Sequence, residues 1–508
     1  MTRLLILSIF IICYLHYCVE SNINDIDALK TFVWGPGLHP EDITLRARYI
    51  YLQLVDSKGI NITEPIEDKI VSFAINGITK DKTPCRIWPQ VLDCKDASFI
   101  FRYRIYNTCF NLSIIIKVKN QIVPLQKSFF KGPVYEEECY CPNTSVQSWL
   151  KNNFCSKSKK LVNENLMNFP RVNFDVLRDN LISTFNKPKS ISICHYVVKS
   201  NNVHRKCFGE HVGFKTFYDA ILLSITRKTV LPDVEFFANL GDWPLVEKNT
   251  NIEMFPIFSW CGHENFNDVV LPTYELTESS VEGMGRVMLD MLSVQGNTKL
   301  PWSEKIEKVF WRGRDSNMQR LNLIDIARKN PSLFNVSMTN FFFSNEDQIK
   351  KYGPKQKHVS FFDFFEYKYQ LNIDGTVAAY RFPYLLAGDS LVFKQNSKYF
   401  EFFYQDFEAD KHFITVNSDL SDLIEKVKWA MRHDDEAHKV TKIARQYARD
   451  NLMPQNIFCY LVALIEKWNM LHSQNMNVNV QLMKNNKEMN FENHLNKVDR
   501  LYNSLILN

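Results

Sequence analysis

In the first quarter of the chain, apolar and polar positions alternate with a period of two. Tyr49-Ile-Tyr-Leu-Gln-Leu-Val55 does so before the turn Asp56-Ser-Lys-Gly59. Ser98-Phe-Ile-Phe-Arg-Tyr-Arg-Ile-Tyr106 and Leu112-Ser-Ile-Ile-Ile-Lys-Val118 repeat the pattern. Successive side chains of a strand point to opposite faces, so this period predicts half-buried strands. Several such strands separated by turns predict a β-sandwich over 25–134.

After a cysteine-bearing connector at 135–160, with Cys139, Cys141 and Cys155, the pattern changes. His211 to Val230 carries apolar residues at helical spacing. Asp233-Val-Glu-Phe-Phe-Ala-Asn-Leu240 reads as a strand that ends in Gly241-Asp242-Trp243-Pro244, and Ile252 to Trp260 holds another. Lys308-Val-Phe-Trp311 is a short strand running into Arg312-Gly-Arg-Asp-Ser316 and a helix over 317–329. Tyr369-Gln-Leu-Asn-Ile373 precedes Asp374-Gly-Thr376 and a helix over 377–386. Strands at 390–393 and 413–416 follow, then helices at 419–433, 436–451 and 455–471. Strands alternating with helices predict a doubly wound α/β region in two lobes over 161–471. Residues 472–508, rich in asparagine and lysine with little apolar periodicity, read as a polar mobile tail. No internal repeat is visible.

Composition narrows the class. The chain has 508 residues, enough for about three compact units, and is 45% apolar and 23% charged. Those values exclude a disordered, collagenous or polytopic membrane protein. A net charge of +5 is too weak to argue for nucleic acid. Arg3 precedes the apolar run Leu4 to Leu15, with a small residue at Ser21. The run is too short to span a bilayer comfortably, so 1–20 reads as a cleaved signal peptide rather than a signal anchor. No later stretch is apolar enough to span, so the mature chain is expected to be lumenal or secreted. Twelve cysteines less Cys13 and Cys18 leave an even ten. In an oxidising compartment, Cys139-Tyr-Cys141 then reads as disulfide chemistry rather than a metal pair. Asn61, Asn111, Asn143 and Asn335 stand in N-glycosylation sequons.

Ligands of open α/β sheets bind beyond the carboxyl ends of strands. That rule selects Gly241-Asp242-Trp243-Pro244, Arg312-Gly-Arg-Asp-Ser316 and Asp374-Gly-Thr-Val-Ala-Ala-Tyr-Arg381. In the last two, Arg320 and Arg381 fall in the first turns of helices, an arrangement suited to an anion. The plain alternative is pairing with surface carboxylates. Asp242 is placed for a general base, or is an ordinary turn aspartate. Glycine is only 16 of 508 residues, which argues against a glycine-rich phosphate loop. Gly283-Met-Gly285 lacks the third glycine of a dinucleotide fingerprint. Asp25-Ile-Asp27 matches a two-aspartate metal pattern but precedes any α/β unit. His211 reads more readily as a helix-start packing residue than as a substrate contact. The 38 phenylalanines cluster at 341–343, 361–365 and 402–403, where core packing and an acceptor groove remain alternatives.

The segments Asp233 to Pro244, Phe310 to Ser316, Asn372 to Phe382 and Glu401-Phe-Phe-Tyr404 resemble the Rumi-type protein O-glucosyltransferases of glycosyltransferase family 90. Trp34-Gly-Pro-Gly-Leu38 and Lys131-Gly-Pro-Val134 resemble the ends of a filamin-type immunoglobulin-like repeat, which is the arrangement of the KDEL motif-containing branch. The resemblance covers about 30 to 471. It implies a GT-B fold of two Rossmann-like lobes behind the filamin-like sandwich, with no metal or other cofactor. The implied donor is UDP-glucose, or UDP-xylose in some members, and the implied acceptor is a serine of folded EGF-like repeats of Notch- or fibrillin-like proteins. It matches Asp242 to the catalytic base. It matches Arg320 and the run Gly375, Thr376, Val377, Ala378, Ala379, Tyr380 and Arg381 to UDP-sugar contacts. Arg314 stands where some relatives carry a serine that contacts the donor, and Glu401 is a candidate for the ribose hydroxyls. Glu366 and Ala387 replace a cysteine pair of the Rumi branch, and Cys459 matches a cysteine that ties the C-terminal helices to the connector. The pairing of Cys85, Cys94 and Cys109 stays open. The chain ends Ser504-Leu-Ile-Leu-Asn508, without a KDEL-like signal, so residence in the endoplasmic reticulum lumen is expected from the resemblance with secretion open. The competing reading, a catalytically inactive factor that binds EGF repeats, has no need of Asp242, Arg320 and Arg381.

Overall fold

A computed structural model describes residues 25–66, 68–167, 169, 171, 173–210, 214–248, 256–282, 290–297, 299–472 and 478–489. The signal segment, His211, Gly283-Met-Gly285 and the end of the tail lie outside the described residues, as does 252–255 of the strand expected over 252–260.

The alternating stretches form an antiparallel sandwich. One sheet has the order β1–β2–β5–β4, with β1 Phe32–Trp34, β2 Arg48–Gln53, β4 Ile87–Asp93 and β5 Ser98–Ile105. The other pairs β3 Val71–Ile78 with β6 Phe110–Val118, and β6 with β7 Gln121–Ile122 and β8 Phe129–Phe130. Phe99, Phe101, Tyr103 and Ile105 of β5 fill the core between the sheets. The opposite face of β5 does not meet solvent. Arg102 Nη1 pairs with Asp290 at 2.9 Å and Arg104 Nη2 with Glu282 at 3.0 Å, while Asp96, just before the strand, pairs with Arg445 at 2.8 Å. Tyr49, Tyr51, Leu92 and Ile100 share one core with the α/β region. The sandwich is therefore packed on the rest of the chain through an apolar face rimmed by ion pairs.

The connector contains two helices, α1 Val146–Asn152 and α2 Ser156–Asn165, and α3 Phe174–Phe185 follows it. The first α/β unit is built on a sheet of order β14–β12–β11–β9–β10–β21. Its strands are β9 Ile193–Lys199, β10 Asn202–Phe208, β11 Val234–Asn239, β12 Ile257–Ser259, β14 Val269–Val270 and β21 Lys484–Asn485. Only β11, β12 and β14 run parallel. The hairpin β9–β10 and the edge strand β21 are antiparallel. This sheet is mixed, whereas the alternation of strands and helices predicts a doubly wound region without marking the antiparallel hairpin. β21 also corrects the expected tail, because Lys484 and Asn485 pair with Arg205 and His204 and Met489 is fully buried. Helix α4 Lys215–Lys228 packs against α5 Tyr274–Val281, and α6 Met291–Gln295 completes the unit.

The second unit is a five-stranded sheet of order β16–β15–β17–β18–β20, every pair parallel. Its strands are β15 Ile306–Arg314, β16 Phe334–Asn340, β17 Tyr367–Asn372, β18 Leu391–Gln395 and β20 Ile414–Val416. Helices α7 Met318–Lys329, α8 Glu346–Tyr352, α9 Phe382–Ala387 and α10 Leu423–Arg432 connect or cover them. The chain goes from β15 out to β16 and then returns to β17 on the other side. That reversal is a topological switch point, and it opens a crevice at the carboxyl ends of β15 and β17. Helices α11 Asp434–Asn451 and α12 Pro454–Leu471 run back across both units, α12 against α2 and α5 and α11 against α9. Between the units lie β13 Gly262–His263 and β19 Tyr399–Phe400, paired with each other.

Disulfides join Cys85–Cys109, Cys139–Cys141, Cys155–Cys459 and Cys194–Cys207. The third fastens α12 to the connector, as the resemblance implies. Cys94 and Cys261 remain buried thiols, so the even count does not mean full pairing. No helix among the described residues is long and apolar enough to cross a membrane.

Candidate active site

A cleft of about 590 Å3 is lined from both α/β units, where the carboxyl ends of β11, β15 and β17 converge. Asp242 enters from the first unit. Its turn is fixed from beneath by polar groups that are themselves buried. Asn239 Oδ1 accepts from Gly241 N–H at 2.8 Å, and Asn239 Nδ2 donates to Trp243 O at 2.6 Å and to Ser259 Oγ at 3.1 Å. Ser259 Oγ donates to Asp268 at 2.6 Å, and the Asp268 carboxylate accepts from Leu245 N–H at 2.9 Å and Val246 N–H at 2.8 Å. Held this way, Asp242 keeps one buried oxygen, Oδ1, without a hydrogen-bond partner. Burial pushes its carboxyl above the usual aspartate range, and Arg314 pulls it back in part. The motif reading missed Asn239, Ser259 and Asp268. A visible signal was Asn239 itself, a polar residue closing an otherwise apolar strand.

The facing wall belongs to the second unit. β15 runs further than expected, through Arg312-Gly313-Arg314, because it lies between β16 and β17 and pairs with β16 as far as Arg314↔Asn340. A side chain at Gly313 would collide with the Trp311 ring, 2.4 Å from its Cβ. Arg314 is thus the last strand residue and is exposed in the cleft. Its guanidinium lies 5.4 Å from the Phe342 ring centroid and makes no hydrogen bond or ion pair among the described residues.

Arg320 is different. It sits in the first turn of α7, where Asn317 caps the helix by accepting from Arg320 N–H at 3.0 Å. Its guanidinium is spent on the fold. Nε donates to Asp374 O at 2.7 Å, Nη1 to Arg314 O at 3.0 Å and Ser316 Oγ at 3.2 Å, and Nη2 to Ile373 O at 3.1 Å. Four of the five N–H donors of an arginine are occupied, which clamps the end of β15 to the end of β17. Burial, with Arg381 and Arg314 nearby, lowers its pKa to about 9. Arg381 donates from Nη1 to Arg312 O at 2.6 Å and lines the cleft.

Gly375, Thr376, Val377, Ala378, Ala379, Tyr380 and Arg381 all line the cleft, but in a loop. The expected helix over 377–386 begins only at Phe382, with Pro383 in its first turn. A helix begun at Val377 would put Pro383 in its interior, where it lacks a donor and clashes. Tyr380 meets Tyr274 edge-on with centroids 5.3 Å apart, and its buried hydroxyl has no partner. Glu401 does not line the cleft. It is 1% exposed behind the loop, with Oε2 unpartnered and its pKa pushed by burial to about 8.

Of the sequons, Asn61 and Asn111 are exposed. Asn143 is half-buried, and Asn335 lies inside β16 with Nδ2 donating to Tyr367 Oη. The phenylalanine clusters divide. Phe364, Phe365, Phe402 and Phe403 are buried, whereas Phe342 and Phe343 are 61% and 66% exposed.

The profile described as Glycosyl transferase family 90 matches residues 150–505. Protein O-glucosyltransferase 2 of Danio rerio is 48% identical over 442 residues, covering 87% of each chain. Protein O-glucosyltransferase 3 of Homo sapiens is 42% identical over 447 residues, again 87% of each. Protein O-glucosyltransferase 1 of Homo sapiens is 28% identical over 294 residues, covering 56% of this chain and 73% of its own.

Proposed function

This chain belongs to glycosyl transferase family 90 and is a glycosyltransferase, and from that premise we propose that it transfers glucose, or xylose, from the UDP-sugar to a serine of folded EGF-like repeats with inversion at the anomeric carbon. The relatives' names support protein O-glucosylation. The finer reading rests mainly on one observation. Asp242 is a partly buried carboxyl of raised proton affinity, with an unpartnered oxygen, in a cleft whose opposite wall carries Arg314, Arg320 and Arg381.

A serine hydroxyl is a weak nucleophile at neutral pH and needs a positioned base. In the proposed reaction Asp242 takes the proton from serine Oγ as Oγ bonds to the anomeric carbon. The bond from that carbon to the β-phosphate oxygen breaks from the opposite face, and UDP leaves with its negative charge. A raised carboxyl pKa favours proton uptake here. Arg314 and Arg381, which both keep donors free of the fold, stabilise the leaving diphosphate, and Arg320 contributes its charge and its clamp. No metal or cofactor is assigned a role. The sandwich is read as a filamin-type repeat and the two α/β units as a GT-B pair with the donor between them, in the endoplasmic reticulum lumen.

Mass spectrometry of a panel of folded EGF-like repeats, each incubated with UDP-glucose and with UDP-xylose, tests this reading. A mass gain of one sugar on a serine is expected. Unmodified repeats with both donors would remove it.

A further inference from the structure

The loop between β16 and α8 is held more firmly than a surface connection requires. Phe341 N–H donates to Asn340 Oδ1 at 2.9 Å and Phe342 N–H to Asp315 Oδ1 at 2.7 Å. Phe343 and Ser344 N–H donate to Asp315 Oδ2 at 2.9 and 2.7 Å, and Asn345 N–H to Gln348 Oε1 at 3.1 Å. Five consecutive amides thus have side-chain acceptors. Asp315, 3% exposed, supplies three of those bonds. Phe341 turns inward onto the core of the second unit.

The outcome of this order is two consecutive phenylalanines presented to solvent on a fixed backbone, at 61% and 66% exposure. A single exposed apolar side chain needs no explanation, but two successive exposed phenylalanines on a backbone fixed by Asp315 suit a contact surface. Its position says with what. Phe342 and Val359, itself 41% exposed, line the cleft that holds Asp242. Trp243, the residue after the base, is 49% exposed. The floor of the cleft is cationic and suits a diphosphate. The apolar mouth has nothing to offer that anion, so it is left to the second substrate.

We propose that Phe342 and Phe343, with Trp243, form the docking surface for the acceptor, a compact folded protein module that lays an apolar ridge on these rings while its hydroxyl reaches Asp242. This rests on the protein O-glucosyltransferase reading. Aromatic anchors at the centre of a protein contact carry most of its affinity. Their position beside the base ties that affinity to delivery of the hydroxyl.

The test uses the full chain, UDP-glucose and a folded EGF-like repeat as probe, with Phe343→Ala and the double variant Phe342→Ala/Phe343→Ala. Both changes lie at the surface. The KM for the repeat is expected to rise about tenfold in the single variant and further in the double. In Phe343→Ala, kcat and the calorimetric affinity for UDP-glucose should stay at wild-type values. An unchanged KM in both variants, with the wild type transferring sugar, overturns the docking surface and leaves the reaction standing. A wild type that neither transfers nor binds UDP-glucose overturns both.

Discussion

The two walls of the cleft are built by opposite strategies. On the Asp242 side, buried polar groups of Asn239, Ser259 and Asp268 bond to the backbone and to one another, and Oδ1 of the Asp242 carboxyl is left without a partner. On the other side the polar group that holds the wall together, Arg320, is itself one of the cationic residues of the cleft. In the first unit, scaffold and chemistry are separate residues. In the second they overlap, so a motif arginine there can be lost to the fold without any change in charge count. Arg314 and Arg320 come from one strand–helix crossover, yet Arg314 is exposed with its donors free and Arg320 is buried with its donors on the backbone.

Substitutions that separate scaffold from chemistry test the contrast. Asp242→Asn has the largest expected effect on turnover. It preserves shape and the pinned turn but cannot take the serine proton, so kcat should fall about a thousandfold with UDP-glucose affinity and thermal stability unchanged. A stopped transfer assay beside calorimetry checks this. Arg320→Ala should act on stability first. It removes the bonds to Asp374, Arg314 and Ile373 and leaves the Ile373 carbonyl without a donor, while Asn317 Nδ2 still donates to Asp374 O and Ser316 N–H to Arg314 O, so the loss of these bonds should cost about 3 kcal/mol. Urea unfolding is expected to show that loss, and Arg320→Lys should not restore it, since an ammonium cannot reproduce the planar fork.

Arg314→Ala should leave the unfolding midpoint near wild type and change the pH profile instead. Burial raises the Asp242 carboxyl and Arg314 lowers it. Removing the cation therefore raises that pKa further. The proposed reaction needs Asp242 ionised, so the acid limb of kcat/KM should move to higher pH. A limb that stays in place, or moves to lower pH, would separate Arg314 from the base.

Much of this architecture was legible in the chain. Period-two alternation marked β2, β5 and β6, and the three strand-end segments marked the cleft, because folding places such ends together whatever the residues between them. Other features were illegible for physical reasons. Arg102 and Arg104 alternate with Phe101 and Tyr103 exactly as solvent-facing residues would, and only the ion pairs with Asp290 and Glu282 show that their face is covered. The start of α9 depends on Pro383 overriding the helical spacing from Val377. The alternation of strands and helices also gave no sign that the hairpin β9–β10 makes the first sheet mixed. A one-dimensional pattern also cannot tell whether Arg320 donates to a ligand or to carbonyls fifty residues away.

Glu401 sharpens the contrast with the smallest expected effect. Like Asp242 it has one buried oxygen without a partner, yet it lies outside the cleft lining, with only Tyr404 Oη donating to its other oxygen at 3.3 Å. Burial raises its pKa to about 8, with Lys394 opposing. An unfolded glutamate ionises near 4.5, so between these values the folded chain holds a proton that the unfolded chain has released. The stabilisation is full below about pH 4.5 and is lost as pH rises through about 8. Glu401→Gln mimics the protonated acid and removes that slope. The glutamine must bury an amide that finds no acceptor, so the net gain at pH 7 should be on the order of 1 kcal/mol. Urea midpoints measured from pH 5 to 9 should fall with pH more steeply in the wild type than in Glu401→Gln, while kcat at pH 7 stays within about twofold. Equal slopes would show that Glu401 is already ionised in the fold. A large loss of kcat with an unchanged slope would instead make it a cleft residue of the same kind as Asp242.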